Sequence, residues 1–280
     1  MSAATAEGAP LLAGGVALGE VQQRAFAVLE ALAQFCERHQ LRYYLVGGTL
    51  LGALRHGGFI PWDDDIDIAL PRADYERLLA MADALPVGLR AIHPSRNADT
   101  PYPFLVVCDA RSRLVIDYAR PFDRGIGVDV FPIDAVPAPG SRRDLLFKAI
   151  ALMRAWTMNK QQGYYPHPVA APRRLRLALL SLASRLFAAG RIFQTYERLV
   201  ARGDASRSRH VGNLYGLYGR REIVEAEVFG EGRWVRFEGT RFRAPALAER
   251  YLEAVYGDFR RLPPPEQRRS SHRIRAVVLG

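Results

Sequence analysis

Cysteine and lysine are nearly missing from this chain of 280 residues. Its two cysteines, Cys36 and Cys108, form no Cys-x-x-Cys and no Cys/His spacing. A structural zinc site is therefore not expected, and nothing supports a disulfide. Only Lys148 and Lys160 are lysines among 39 basic residues, set against 29 acidic ones. The net charge of +10 is thus carried almost wholly by arginine. Guanidinium forks suit phosphates. A basic surface suits nucleic acid, an anionic membrane or phosphorylated small molecules, and charge alone does not choose among them. Long apolar runs are also missing, so no segment reads as a membrane span. The opening "MSAATAEGAPLLAGGVALGE" has no basic start and no long apolar stretch. Residues 1–18 read as a disordered tail rather than a signal peptide, and the expected location is the cytoplasm. There are no internal repeats.

Hydrophobic residues make up 49% of the chain, enough for a sizeable core. The length suits one large domain or two small ones. Residues 20–40 place Val21, Ala25, Val28, Leu29, Leu32 and Phe35 at helical spacing. "RYYLVGG" reads as a short strand ending in a glycine turn, and "TLLGALRHGG" as a helix with Thr49 near its start. "IDIAL" reads as a strand, and "PRADYERLLAMADAL" as a helix opened by Pro71. Further strands are expected at "GLRAIH", "PFLVVCDA", "SRLVIDY" and "GVDVFPID". Two long helices, 141–163 and 172–202, then flank "YYPHPVAAP". A strand pair in "EVFGEGRWVRFEGTRFRAP" and a helix in "ALAERYLEAVYGD" complete the reading. The expected division is a mixed catalytic core at 19–140 and a helical and C-terminal part at 141–280 packed on it.

The stretch "GGFIPWDDDIDIAL" puts four aspartates, Asp63, Asp64, Asp65 and Asp67, into five positions. Two carboxylates 5 Å apart repel by roughly 3 kcal/mol at an effective dielectric near 20. A solvated acidic loop would avoid that cost, but this run merges into an apolar strand. On a strand, Asp65 and Asp67 share a face while Ile66 and Ile68 take the other; Asp63 joins them if the strand starts early. A divalent cation such as Mg²⁺ is the natural counter-charge, because it accepts one or two protein carboxylates plus substrate phosphates.

Upstream, Gly47, Gly48 and Thr49 follow a strand and open a helix. Glycines let a backbone approach a phosphate, and a helix start favours anions; a tight turn would use the same glycines. Strand, Gly-Gly-Thr helix and a strand bearing Asp65-x-Asp67 together resemble the polymerase-β-type nucleotidyltransferase superfamily. That resemblance implies an α+β fold: a small mixed sheet with flanking helices, followed here by a helical middle and C-terminal part. It also implies a third carboxylate from another strand. Asp129, between two valines of "GVDVFPID", is the first choice. Asp134 follows Pro132 and is expected in a turn. Asp129 as a buried aspartate held by backbone amides is the alternative reading. Arg55 is placed to hold a donor phosphate and His56 to act as a base; capping the short helix is the alternative for each.

The stretch "YYLVGGTLLGALRHGGFIPWDDDIDIALPRADYERLL", with "GIGVDVFPID" and "VRFEGTRFRAPALAERYLEAVYGDFRRLPPPEQRRSSH", resembles the LicD family, which includes the fukutin-type transferases. The resemblance spans 43–272 and is weakest over 141–210. It implies a metal-dependent phosphotransferase that takes a phosphorylated alcohol, such as phosphocholine or a polyol phosphate, from a CDP-linked donor. The acceptor would be a hydroxyl of a surface glycan or lipid-linked glycan, and CMP would leave. By position, Asp65, Asp67 and Asp129 would bind Mg²⁺ or Mn²⁺ with Asp63 helping, Asp129 standing as ligand or as base. Gly47, Gly48 and Thr49 would meet the donor phosphates. Arg55 and His56 are further donor candidates by their place between the glycines and the aspartates, and Lys160, in the loop 158–168 with two tyrosines, is a donor or acceptor contact with plain packing of that loop as the alternative. The zinc-binding cysteines of fukutin-related proteins have no counterpart here.

Residues 172–193, with arginines at 173, 174, 176, 185 and 191 among leucines, would suit the inner face of an anionic membrane, or would be a core helix with solvated arginines. Two other functions compete with phosphoalcohol transfer. One keeps the fold but adds NMP to a small molecule and releases pyrophosphate. The other is an arginine-rich nucleic-acid or membrane binding module without enzymatic activity. The aspartate cluster speaks against nucleic acid as a partner, because carboxylates repel its phosphates.

Overall fold

The structure, a computed structural model, describes residues 12, 15–97, 100–117, 121–157, 197, 208–269 and 274–280. Lys160, the loop 158–168 and the basic segment 172–193 lie outside the described residues.

Helix α1 (Leu18–Arg38) buries Val21, Ala25, Val28, Leu29, Leu32 and Phe35, the stripe its spacing requires. Strand β1 (Tyr44–Leu45) leads directly into helix α2 (Gly47–His56). Gly47 and Gly48 therefore form the first turn of α2 rather than a turn ahead of it. Strand β2 (Ile66–Pro71) follows, then helix α3 (Arg72–Ala80), for which Pro71 is the N-cap residue. Strands β3 (Leu89–Ile92), β4 (Leu105–Asp109), β5 (Arg113–Ile116), β6 (Phe122–Asp123) and β7 (Gly127–Val136) complete the N-terminal part. After helix α4 (Ser141–Thr157) come β8 (His210–Gly212), β9 (Ile223–Glu225), β10 (Arg233–Phe237) and β11 (Thr240–Ala244). Helix α5 (Ala248–Tyr256) and strand β12 (Ile274–Val278) end the chain.

The main sheet runs β1-β2-β7-β4-β3, with β8 and β9 added through β7. Its β2 and β7 are parallel, while β1, β4 and β8 pair antiparallel to their neighbours. The architecture is therefore a mixed sheet with helices, in line with the α+β reading. Ile66, Ile68, Val128 and Val130 are all 0% exposed. Full burial of such side chains stabilises by about 1.5–3 kcal/mol each, which fixes the register of the two central strands.

One buried cluster extends from Val21 to Val277 and takes in residues of α1, α2, the sheet, the β10–β11 hairpin and α5. The C-terminal part is tied in by pairing as well: β12 pairs with β5 across more than 150 positions. Strands β8, β9 and β12 were not anticipated from the sequence. Each carries only three to five residues, too few for a clear alternation signal.

Asp134 is not in a turn. It lies on β7, 1% exposed, and accepts two hydrogen bonds from Arg72, from Nε at 2.6 Å and Nη2 at 2.8 Å. Pro132 misled that reading. On one edge of β7, β4 pairs as far as Val130 and β8 starts at Asp134. Pro132 falls in the gap between them, where a strand tolerates a proline. Arg72 also donates to Glu197 at 3.0 Å. Asp134→Ala is expected to destabilise the protein by about 3–5 kcal/mol, because it strips a buried guanidinium of its bidentate partner. Urea unfolding of the purified variant measures this; a midpoint equal to wild type would refute the assigned role.

Candidate active site

Asp67 on β2 and Asp129 on β7 are register partners across the parallel strands. Their flanking residues Ile66, Ile68, Val128 and Val130 fill the core, so alternation turns both carboxylates to the opposite face. Asp65 lies just ahead of β2 and shares the side of Asp67. Oxygens of Asp65, Asp67 and Asp129 all lie within 4.8 Å of one another. The triad's all-oxygen donor set would suit Mg²⁺ or Mn²⁺.

Asp63 reaches the same place from the preceding loop. Its carboxyl lies beside those of Asp65 and Asp67. Burial first, then the charges of Asp65 and Asp67, push the Asp63 carboxyl up to about 9. Asp67 is held well above the usual carboxylate range by burial and by Asp65, Asp129 and Glu222, with Arg124 opposing. The cluster is a set of acids that the fold has forced together.

Four neighbours shape it. The Thr49 hydroxyl accepts from the Asp67 N–H at 2.8 Å. Gln22 of α1 donates from Nε2 to the Asp63 carbonyl at 2.8 Å. Gly47 and Gly48 bring the first turn of α2 against the carboxylates. A Cβ on Gly48 would stand 2.6 Å from Asp63 Oδ2, and one on Gly47 would stand closer still to Asp67 Oδ2. Gly47 also has φ +56°, a conformation that favours glycine. The positive dipole end of α2 thereby faces negative charge.

The structure brings Asp63, Asp65, Asp67, Asp129, Gly47, Gly48 and Thr49 together. It sets Arg55 and His56 in the last turn of α2, at the end of the helix away from Gly47. Arg55 donates from Nε to His56 Nε2 at 2.9 Å and from Nη1 to the Phe259 carbonyl at 2.9 Å. This ties α2 to the segment after α5. Burial and the Arg55 charge lower the His56 pKa.

Four parts of the site were missed in the sequence. Arg124, 2% exposed, pairs through Nη2 with Asp129 Oδ1 and lies 5.3 Å over the Tyr102 ring. Glu222, 4% exposed, accepts at Oε1 from the Tyr218 N–H at 2.9 Å. Burial first, then the Glu222 charge, raise the Tyr251 hydroxyl, with the Gly47 backbone opposing. Tyr218 and Tyr256 stack edge to face at 4.9 Å. Burial raises the hydroxyls of Tyr218 and Tyr256, and the charge of Asp67 adds to both. Only Arg124 had a legible signal: an arginine between an aspartate and a glycine, just ahead of the strand that bears Asp129.

Residues 40–135 match the family described as LicD/FKTN/FKRP, nucleotidyltransferase domain. The lipopolysaccharide cholinephosphotransferase LicD of Haemophilus influenzae is 26% identical over 271 residues, covering 94% of this chain and 98% of that protein. The ribitol 5-phosphate transferase FKRP of Homo sapiens is 46% identical over 54 residues, which is 19% of this chain and 10% of that protein. The likeness to FKRP is thus confined to a short segment.

A raised carboxyl has a definite pH consequence. With Asp63 at about 9 in the fold against an ordinary value of 3.8, the native state binds more protons than the unfolded chain between those two values. Stability contributed by this group is present below pH 4 and lost as pH rises toward 9. In metal-free protein, wild type and Asp63→Asn should melt alike near pH 4. The variant should become progressively the more stable up to pH 9. Parallel melting curves across that range would contradict the assignment.

Proposed function

Since the chain belongs to the LicD family, we propose that it is a transferase moving a phosphorylated alcohol from a CDP-linked donor to a hydroxyl of a surface glycan or glycolipid, with release of CMP. One observation carries the reading: three carboxylates, two on neighbouring strands and one just ahead of β2, converge within 4.8 Å, beside a glycine-opened helix start. The relative from Haemophilus supports the substrate class by its name, a lipopolysaccharide cholinephosphotransferase.

Asp65, Asp67 and Asp129 are the residues that would hold a divalent cation, Mg²⁺ or Mn²⁺, with Asp63 in support. When bound, the ion neutralises charge on the donor's diphosphate and on the departing CMP. The acceptor hydroxyl forms a new P–O bond to the phosphorus that carries the alcohol. The bond from that phosphorus to the CMP oxygen breaks, and the acceptor proton passes to a carboxylate of the cluster. Most of the acceleration comes from positioning and electrostatics, as in phosphoryl transfer generally. The first turn of α2 at Gly47 and Gly48 receives the donor phosphates through backbone N–H groups. Thr49, whose hydroxyl is engaged by the Asp67 backbone, positions Asp67. Arg124 holds Asp129 in place. Arg55, His56 and Lys160 are assigned to the outer reaches of the donor.

Enzyme, Mn²⁺, a CDP-alcohol and a glycan acceptor should yield CMP and an acceptor heavier by the phosphoalcohol, read by mass spectrometry. Asp65→Asn, Asp67→Asn and Asp129→Asn should each lower turnover by at least about 100-fold, the loss typical of removing a preorganised electrostatic group. EDTA should abolish it. Pyrophosphate released from a nucleoside triphosphate, with an acceptor heavier by one nucleotide, would instead establish nucleotidyl transfer and overturn the proposal.

A further inference from the structure

The β10–β11 hairpin has two unlike faces. Val235, Phe237, Phe242 and Ala244 pack inward on the core. The outward face carries two cross-strand pairs, Trp234 opposite Arg243 and Arg236 opposite Arg241. Trp234 is 42% exposed, with the guanidinium groups of Arg243 and Arg241 over its ring at 4.9 and 5.6 Å. Arg236 and Arg241 are exposed. Arg233, on the inward side, is paired with Glu249. Among the described residues, no carboxylate lies within ion-pair distance of Arg236, Arg241 or Arg243. The one acid at the hairpin tip, Glu238, reaches to the loop ahead of Asp63, where Oε1 accepts from the Phe59 N–H at 2.9 Å.

The fold does not explain this face. Like charges directly opposite each other on antiparallel strands are destabilising, and a glutamate at 236 or 241 would relieve the repulsion. As at the carboxylates, a cluster of one sign points to an external counter-charge. We propose that this face docks on an anionic phospholipid bilayer. Arginines and an amphipathic aromatic are the side chains that settle at a bilayer's headgroup level. The Trp234 ring already carries guanidinium groups, so it offers little open face for a nucleobase to stack on. The inference rests on this surface and stands apart from the proposed reaction.

The test is co-sedimentation of the full chain with phosphatidylglycerol/phosphatidylcholine vesicles and with phosphatidylcholine alone. Wild type should bind the anionic vesicles and release them as salt rises. Each arginine near such a surface strengthens binding roughly fivefold. Arg236→Glu changes the charge by two, so it should weaken binding about 25-fold. The same change places opposite charges across the hairpin, so the variant should melt no lower than wild type. That split, weaker binding without lost stability, is not what a structural role would give. Trp234→Ala should also weaken binding while leaving the far-ultraviolet circular dichroism unchanged. Vesicle binding unaltered in both variants would overturn the proposal. So would tighter binding to a single-stranded RNA oligonucleotide that the same variants abolish, since the partner would then be nucleic acid.

Discussion

Repulsion among Asp63, Asp65, Asp67 and Asp129 is the constraint on which the rest of the molecule depends. Carboxylates driven this close, with oxygens of three of them within 4.8 Å, will separate or take up protons unless the backbone holds them. The backbone does hold them. Parallel pairing of β2 with β7 fixes Asp67 beside Asp129. Four fully buried aliphatic neighbours prevent either strand from slipping, because a one-residue slip would carry them to the wrong face. The Thr49 hydroxyl and the Gln22 amide then pin the backbone of Asp67 and of Asp63. Arg124 supplies the one buried cation that touches the triad among the described residues.

The C-terminal part serves the same cluster from outside. Glu238, at the hairpin turn, accepts from the Phe59 N–H and donates its own N–H to the Gly57 carbonyl at 3.0 Å. It thereby clamps the start of the loop that delivers Asp63. Helix α5 sends Tyr251 to the backbone of Gly47, and the segment ahead of β9 sends Glu222 into the field of Asp67. Each of these contacts joins residues more than 150 positions apart, so the loop and the helix start are shaped by chain made much later. A carboxylate cluster this costly is kept in shape by distant parts of the sequence rather than by its own strand.

The sequence made the inner part of this arrangement legible. The helical stripe in α1 is a local signal that burial bears out, and the apolar neighbours of Asp67 and Asp129 are the fully buried ones their strands required. The glycine pair was also legible, though for a reason that turned out broader. Its small size makes room for the chain's own carboxylates as well as for any phosphate. The outer part was not legible. Glu222 and Tyr251 come from short or distant elements, and nothing in their neighbours marks them. Proline 132 produced a wrong turn because a proline's tolerance depends on which edge of the strand is paired. That is a property of the whole sheet.

Strand β7 shows how far position decides chemistry. Asp129 and Asp134 are the same residue type on one strand, five apart, and an odd spacing puts them on opposite faces. Asp134 meets Arg72 in a bidentate pair and is 1% exposed. Arg72 holds Glu197 as well, at 3.0 Å, so Asp134 belongs to a buried structural network. Asp129 also meets an arginine, Arg124, but shares its face with Asp67 and Asp65. There one guanidinium stands against several acids, and burial and neighbouring charge keep Asp67 well above the usual carboxylate range. Two buried aspartate–arginine pairs on one strand therefore do different things. The Asp134 pair holds the sheet to α3, and the Asp129 pair stands inside the carboxylate cluster.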